Sequence, residues 1–169
     1  MTIYEFSGKS TRVVYREVEL VIRRRHFHLA GEVTDPNIMI GIFRDMVQEC
    51  SVRENFLAFY MDTKHRIVGV ERQAIGGQGS VEVSTSEMFT SACLLAATTF
   101  AVAHNHPSGN PSPSNADVEL TKRLDSGGAL LGIPLLDHII IGESEFYSFH
   151  HRQVAPINLP QKKLMAAEK

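Results

Sequence analysis

Two histidines and one aspartate with metal-binding side chains stand close together in one short stretch of the chain. The stretch reads AHNHPSGNPSPSNAD, and its three metal-binding side chains are those of His104, His106 and Asp117. Two imidazole nitrogens and one carboxylate oxygen make three protein ligands, which leaves a zinc ion a fourth position for water, as in catalytic zinc sites. Zinc lowers the pKa of such a water from about 16 to about 7. The residue types therefore predict a mononuclear zinc site that activates water for hydrolysis of an amide.

The elements around this stretch are predicted to bring the three side chains together. Residues 99–103 are a compact apolar strand, and alternation along a strand places His104 and His106 on one face. A proline-rich loop then turns the chain into a helix that starts at Ser112 or Pro113, where a serine cap and a first-turn proline fit. A helix that returns over the end of the strand aims Asp117 at the two histidines.

Ser114 lies three residues before Asp117, which places the two on neighbouring positions of one helical face. The same Ser-x-x-Asp spacing also fits a simple capping box, with Ser114 as the N-cap. A second His-x-His pair, His26 and His28, is interpreted as polar residues at a strand end. A general base near the zinc would take up a proton, and Glu71, at the end of a predicted hairpin strand, is the candidate for it.

The remaining pattern predicts a mixed α/β (α+β) architecture, with a sheet flanked by helices. A helix opens at Asp35-Pro36, a second is capped by Ser86, and a third covers residues 114–124 and stops at the Asp-Ser-Gly-Gly of 125–128. The predicted strands cover residues 13–22, 56–61, 67–71, 99–103, 135–141 and 146–149. The chain is thereby divided into an N-terminal strand extension (1–35), a main domain (36–155) and a loose tail (156–169).

Composition limits the function classes. The 169 residues are 43% hydrophobic and 21% charged, with a formal net charge of -2, so a broad nucleic-acid-binding face is disfavoured. The N-terminus has no signal-peptide pattern, and no apolar run reaches the roughly 20 residues of a membrane span. Two cysteines make no disulfide framework. The expectation is a cytoplasmic protein without a membrane partner.

At this point the residues resemble a known family. His-x-His, seven residues and then Ser-x-x-Asp is the JAMM motif of JAB/MPN metal-dependent isopeptidases, and AHNHPSGNPSPSNAD, with LLDHIIIG and YSF after it, resembles the RadC-like branch. The resemblance implies the JAB/MPN fold, akin to cytidine deaminases, with His104, His106 and Asp117 as Zn²⁺ ligands. It also implies a Glu general base, for which Glu71 has Glu82 and Glu87 as rivals.

Two further roles follow from the same resemblance. Ser114 matches the motif serine, which helps to stabilise the oxyanion of the tetrahedral intermediate. Asp137-His138 matches the branch and is interpreted as a pair that orients a ligand or lies in the core. Longer members of the branch carry an N-terminal helix-hairpin-helix module, whereas the first 35 residues here are predicted as strand.

Three functions are compared. The first is a zinc hydrolase that cuts a peptide, or the amide of a ubiquitin-like tail. The second is a DNA-repair-linked protein that binds or acts on nucleic acid without peptidase activity, and the run 23–25 (Arg-Arg-Arg) is its sequence support. The third is a metal-binding interaction module without catalysis. An exposed edge of the N-terminal strand could also pair with a second copy and give a homodimer.

Overall fold

The structure is a computed structural model that describes residues 3–6, 9–12, 35–47, 53–75 and 83–159. Strands β1 (Ile3–Phe6) and β2 (Lys9–Arg12) form a separate antiparallel pair. The strand predicted over residues 13–22, the arginine run 23–25 and the histidines at 26 and 28 lie outside the described residues.

A six-stranded mixed sheet forms the body of the domain, in the order β4-β3-β5-β6-β7-β8. Of the five pairs of neighbouring strands in this sheet, β5 and β6 are parallel and the other four pairs are antiparallel. The strands are β3 (Asn55–Met61), β4 (Ile67–Ile75), β5 (Thr99–Asn105), β6 (Leu135–Ile141), β7 (Glu145–Ser148) and β8 (Gln153–Pro156). The predicted mixed sheet flanked by helices is confirmed.

Strand β3 lies inside the sheet and is apolar on both faces because a helical layer covers each face. Leu57, Phe59 and Met61 pack with helix α1 (Pro36–Val47) on one face. Phe56, Ala58 and Tyr60 pack on the other face, in a cluster that also takes residues from α2 (Thr85–Leu94) and α3 (Asn115–Leu131). The core is therefore split into two layers by the sheet.

The parallel pairing of β5 and β6 is what brings α3 over the sheet. Parallel neighbours cannot be joined by a tight turn, so the chain must cross over between them, and α3 is that crossover. The strand β6 has the bounds predicted from its apolar run. The strand β8 was not predicted, because its exposed residues show no alternation.

The helix boundaries correct three predictions. Ser84, and not Ser86, caps α2, with its hydroxyl accepting from the Glu87 amide. Ser114, and not Ser112 or Pro113, caps α3 in a capping box with Asp117. The prediction that α3 stops at residues 125–128 is wrong.

Helix α3 continues through Gly127 and Gly128 and ends at Gly132, which has a left-handed φ of 70°. Two helical glycines cost about 1 kcal/mol each relative to alanine, but close packing outweighs that cost here. A Cβ on Gly127 would lie 2.7 Å from the Phe89 ring, and one on Gly128 would lie 2.5 Å from the Ile133 carbonyl oxygen. Both glycines therefore allow close approach and do not break the helix.

We expect Gly128→Ala to destabilise the fold by about 1–3 kcal/mol, because its methyl group would overlap backbone that cannot swing aside. Ser126→Ala, on an exposed position of the same helix, should change the free energy of unfolding by less than about 0.5 kcal/mol. Urea denaturation of both variants measures the difference. Equal stability of the two would show that α3 does not need the close approach.

Candidate metal centre

His104 and His106 lie at the carboxyl end of β5, the strand that pairs in parallel with β6. His104 is fully buried and its ring stacks on Phe56, at 5.7 Å between ring centroids. His106 follows the strand directly, and the loop after it leads to Ser114 and the first turn of α3. This turn places Asp117 beside both rings.

The three predicted ligands meet at one point. The Nε2 atoms of His104 and His106 are 3.1 Å apart, and the Asp117 carboxylate oxygens lie 3.2 Å from the first and 3.5 Å from the second. All three ligand atoms lie within 4.8 Å of one another. Two ligands at about 2.05 Å from a tetrahedral zinc lie roughly 3.3 Å apart, so these distances fit such an ion.

The hydrogen bonds of the rings leave lone pairs at the meeting point. Nδ1 of His106 is 2.8 Å from the carbonyl oxygen of Asn110, which can only accept, so this nitrogen carries the proton. Nδ1 of His104 is likewise occupied, at 2.9 Å from Nε2 of His138. Each histidine therefore turns Nε2 toward the other and toward Asp117, an arrangement that a cation stabilises.

The charges in the site favour a cation. Burial raises the pKa of Asp117, but its contacts with the His104 and His106 rings and the hydrogen bonds from Ser114 outweigh burial and hold that pKa well below its usual value. The carboxyl is therefore ionised at neutral pH. The same carboxylate raises the pKa of His106.

Ser114 holds the Asp117 carboxylate in place. Its backbone amide and its hydroxyl both donate to Oδ2 of Asp117, at 2.7 and 2.6 Å, so Oδ1 is the oxygen that faces His104. The capping box considered from the sequence is thus present and serves the ligand. The predicted oxyanion role of Ser114 stays a prediction, since its hydroxyl already donates a hydrogen bond to Oδ2 of Asp117.

Glu71, the predicted general base, is not brought to the three ligands. Glu71 lies on β4, two strands away from β5, and pairs there with Ala58 of β3. Its carboxylate accepts from the Tyr60 hydroxyl at 2.9 Å. Burial and the neighbouring Glu71 raise the pKa of Tyr60 well above its usual value, so the phenol stays protonated and can donate. The geometry therefore does not support Glu71 as the base.

Glu54 lies beside the ligands instead, and it is not among the residues predicted from the sequence. Its Oε1 is 3.9 Å from Nε2 of His104, and the side chain is 17% exposed. Of the two rivals of Glu71, Glu87 is exposed in the first turn of α2, and Glu82 lies outside the described residues. No pattern in the sequence marks Glu54, because it reaches the ligands only through the register in which Phe56 of β3 pairs with His104.

Asn105 fixes the backbone on both sides of Glu54. Its side-chain oxygen accepts from the Asn55 amide at 2.9 Å, and its side-chain amide donates to the Arg53 carbonyl at 3.1 Å. Strand alternation turns this side chain away from the face that His104 occupies. The residue between the two histidines therefore ties the start of β3 to the end of β5.

Asp137 and His138 have separate roles. Asp137 accepts from the backbone amides of His138 and His150 and from the Ser148 hydroxyl, so it organises the end of the sheet. His138 is fully buried and contacts His104 directly. Burial holds the pKa of His138 well below its usual value, and the ring is neutral at neutral pH.

Comparison with known proteins agrees with this geometry. The sequence model of the RadC-like JAB domain matches residues 33–154. The chain belongs to the RadC-like JAB domain family. The resemblance seen in the motif is thereby confirmed.

Three relatives of this RadC-like JAB chain carry a name that states no activity. A "UPF0758 protein" of Desulforudis audaxviator (strain MP104C) is 45% identical over 96 residues, which cover 57% of this chain and 42% of the relative. One of Finegoldia magna is 43% identical over 116 residues, with 69% and 52% covered. "UPF0758 protein YsxA" of Bacillus subtilis (strain 168) is 33% identical over 135 residues, with 80% and 56% covered. The chain spans about half the length of the curated relatives it matches.

Other predictions concern parts of the chain that the structure does not describe. The arginine run 23–25, which suggested contact with nucleic acid, is among them, and so is the predicted N-terminal strand edge that suggested a homodimer. Both stay predictions. Among the described residues, no helix has the length and apolar character needed to cross a membrane.

We expect the purified RadC-like JAB chain to bind about one zinc ion, and His104→Ala and Asp117→Ala each to lose it, because each removes one of three ligands. Elemental analysis after zinc loading and desalting measures the stoichiometry. Thr63→Ala, an exposed substitution in the β3–β4 turn, serves as the matched control and should keep the metal. Unchanged zinc content in both ligand variants would contradict the site.

Proposed function

We propose that this chain is a zinc-dependent hydrolase of peptide or isopeptide amide bonds. The observation that carries the proposal is the position of Glu54, whose carboxylate lies 3.9 Å from His104 Nε2 at the edge of the three converging ligand atoms. A site that only stores or stabilises metal is usually closed by a fourth protein ligand. Three ligand side chains with the further carboxylate of Glu54 beside them match a catalytic site in which a carboxylate transfers protons.

The donor set supports zinc in particular. Magnesium and calcium take oxygen ligands, whereas two imidazoles and one carboxylate suit zinc. This argues against a magnesium-dependent nuclease at the same position. When bound, zinc supplies a Lewis acid that lowers the pKa of water and polarises a substrate carbonyl.

Glu54 is the general base in this proposal. Its Oε1 takes a proton from the attacking water and later gives it to the nitrogen of the leaving amine, which is a poor leaving group until it is protonated. A carboxylate that is 17% exposed can exchange protons with solvent between turnovers. Ser114 holds Oδ2 of Asp117, so that Oδ1 stays available as the ligand.

A cavity lies beside His106 on the face of the sheet that α1 covers, and His106 is the one predicted ligand that lines it. Its volume is about 690 Å³, and it lies between the last turns of α1 and the loops that follow β5 and β6. Phe43 and Val47 form an apolar wall, and Arg44, which donates to the Glu143 carbonyl, closes one side. Ligand clefts typically have volumes of about 300–1,000 Å³, so this cavity has room for the part of a substrate that extends past His106, away from Glu54 and Asp117.

Glu54→Gln should lower kcat on a cleaved amide by roughly 10²–10⁴-fold while zinc content stays unchanged, because the amide cannot take up the proton. The assay uses the zinc-loaded full chain with a panel of fluorogenic peptide amides and Lys-linked isopeptides. Glu71→Gln is the matched control and should keep native activity, since Glu71 contacts Tyr60 and not the ligands. Full activity in Glu54→Gln, or activity that survives in His104→Ala, would sink the proposal.

Asn105→Ala should reduce kcat by about 10–100-fold and leave zinc binding intact, because it removes the two hydrogen bonds that bracket Glu54 and not a metal ligand. The comparison is steady-state kinetics on the same substrate with zinc content measured in parallel. In the Glu54→Gln background the Asn105 substitution should have little further effect. An equal loss in both backgrounds would show that Asn105 does not act through Glu54.

A further inference from the structure

A chain of three hydrogen bonds leads from the backbone of one ligand to the ring of another. The Thr121 hydroxyl lies 2.6 Å from the Asp117 carbonyl oxygen and 2.7 Å from Nδ1 of His138. Nε2 of His138 then lies 2.9 Å from Nδ1 of His104. These contacts connect α3, β6 and β5 beneath the metal ligands.

The direction of each bond in this chain follows from what each atom can do. A carbonyl oxygen only accepts, so the single hydroxyl hydrogen of Thr121 points at Asp117, and the Thr121 oxygen must accept from His138. A neutral imidazole has one N–H, so His138 carries it on Nδ1 and offers a lone pair at Nε2. His104 must then donate from Nδ1, which leaves its own lone pair on Nε2.

The packing keeps the middle ring of the chain in place. His138 is fully buried, stacked on Phe149 at 4.9 Å between centroids, and contacted by the edge of Phe56 at 5.8 Å. A ring held on both sides cannot turn its nitrogens away from Thr121 and His104. The hydrogen-bond direction is therefore built into the core and not left to solvent.

We propose that Thr121 and His138 are positioning residues that hold His104 in the Nδ1–H tautomer and thereby aim its Nε2 lone pair at the metal. The inference rests on the proposed zinc site and assigns residues outside the ligand set. A ligating histidine commonly donates its second nitrogen to a carboxylate, a carbonyl or water. Here the acceptor is a buried imidazole whose own tautomer is set by a threonine on the helix that supplies Asp117.

Thr121→Val and Thr121→Ser form the first matched pair. Valine has nearly the same shape but no hydroxyl, so His138 loses the acceptor that fixes its tautomer, whereas serine keeps that acceptor. We expect Thr121→Val to weaken zinc binding by about 10–100-fold and Thr121→Ser to bind close to the native value. The measurement is the zinc dissociation constant of the full chain by competition with a chelator of known affinity.

A second pair separates the tautomer from the contact between Thr121 and Asp117. His138→Gln can still accept from His104 through its side-chain oxygen, whereas His138→Leu cannot. The glutamine variant should therefore retain more zinc affinity than the leucine variant. Thermal unfolding of the metal-free proteins shows whether either His138 variant has lost its fold. If one has, the comparison of zinc affinity between Thr121→Val and Thr121→Ser decides the test.

Nitrogen-15 NMR of the metal-free full chain reads the tautomer directly. At a pH of about 8.5, two units above the usual histidine pKa, we expect the His104 proton on Nδ1 in the native chain and a shift toward Nε2 in Thr121→Val. A native His104 protonated at Nε2, or equal zinc affinity in the two threonine variants, would overturn the inference. If the native chain binds no zinc, the proposed function fails, and the tautomer spectrum still decides the direction of the hydrogen bonds.

Discussion

The close approach of two imidazole nitrogens and a carboxylate in a buried site is the constraint on which the arrangement of this domain depends. Nε2 of His104 and Nε2 of His106 are 3.1 Å apart, and each ring has its other nitrogen engaged. Lone pairs held this close repel one another unless a cation or a proton lies between them. The ends of β5 and α3 must be held rigidly to keep the three groups together, and the parallel pairing of β5 with β6, together with the capping box at Ser114, provides that rigidity.

The polar groups around the ligands each orient a different part of the site through hydrogen bonds. Ser114 orients the Asp117 carboxylate through two hydrogen bonds to one oxygen, and Asn105 orients the segment that carries Glu54. His138 occupies the remaining nitrogen of His104. Each of these side chains lies on β5 itself or on an element that crosses or borders it. The sheet order, with β3 on one side of β5 and β6 on the other, therefore decides which side chains can reach the ligands.

The two carboxylates Glu54 and Glu71 illustrate how packing divides similar residues between tasks. Glu54 stands just before β3 and reaches His104, whereas Glu71 stands on the outer strand β4 and accepts from the buried hydroxyl of Tyr60. The buried Tyr60 hydroxyl lies 2.9 Å from the Glu71 carboxylate and 3.0 Å from the Met88 carbonyl oxygen, so Glu71 is one of two acceptors that satisfy it in the core. In the proposed hydrolase, Glu54 is the acid with both access to solvent and proximity to the ligands.

The sequence by itself determined the features that depend on local pattern. The apolar run of residues 135–141 is the strand β6, and the spacing of His104, His106 and Asp117 was sufficient to predict that they meet. Tertiary structure alone decided the rest. The acid beside the ligands depends on which strand pairs with β5 and in what register, and a single sequence does not show that register. Helix α3 runs through Gly127 and Gly128 because other parts of the chain pack closely against them. Phe89, which is distant in sequence, packs against Gly127, and Ile133, just beyond the helix end, packs against Gly128. The strand β8 exists because β7 offers it an edge, and its own residues carry no strand alternation.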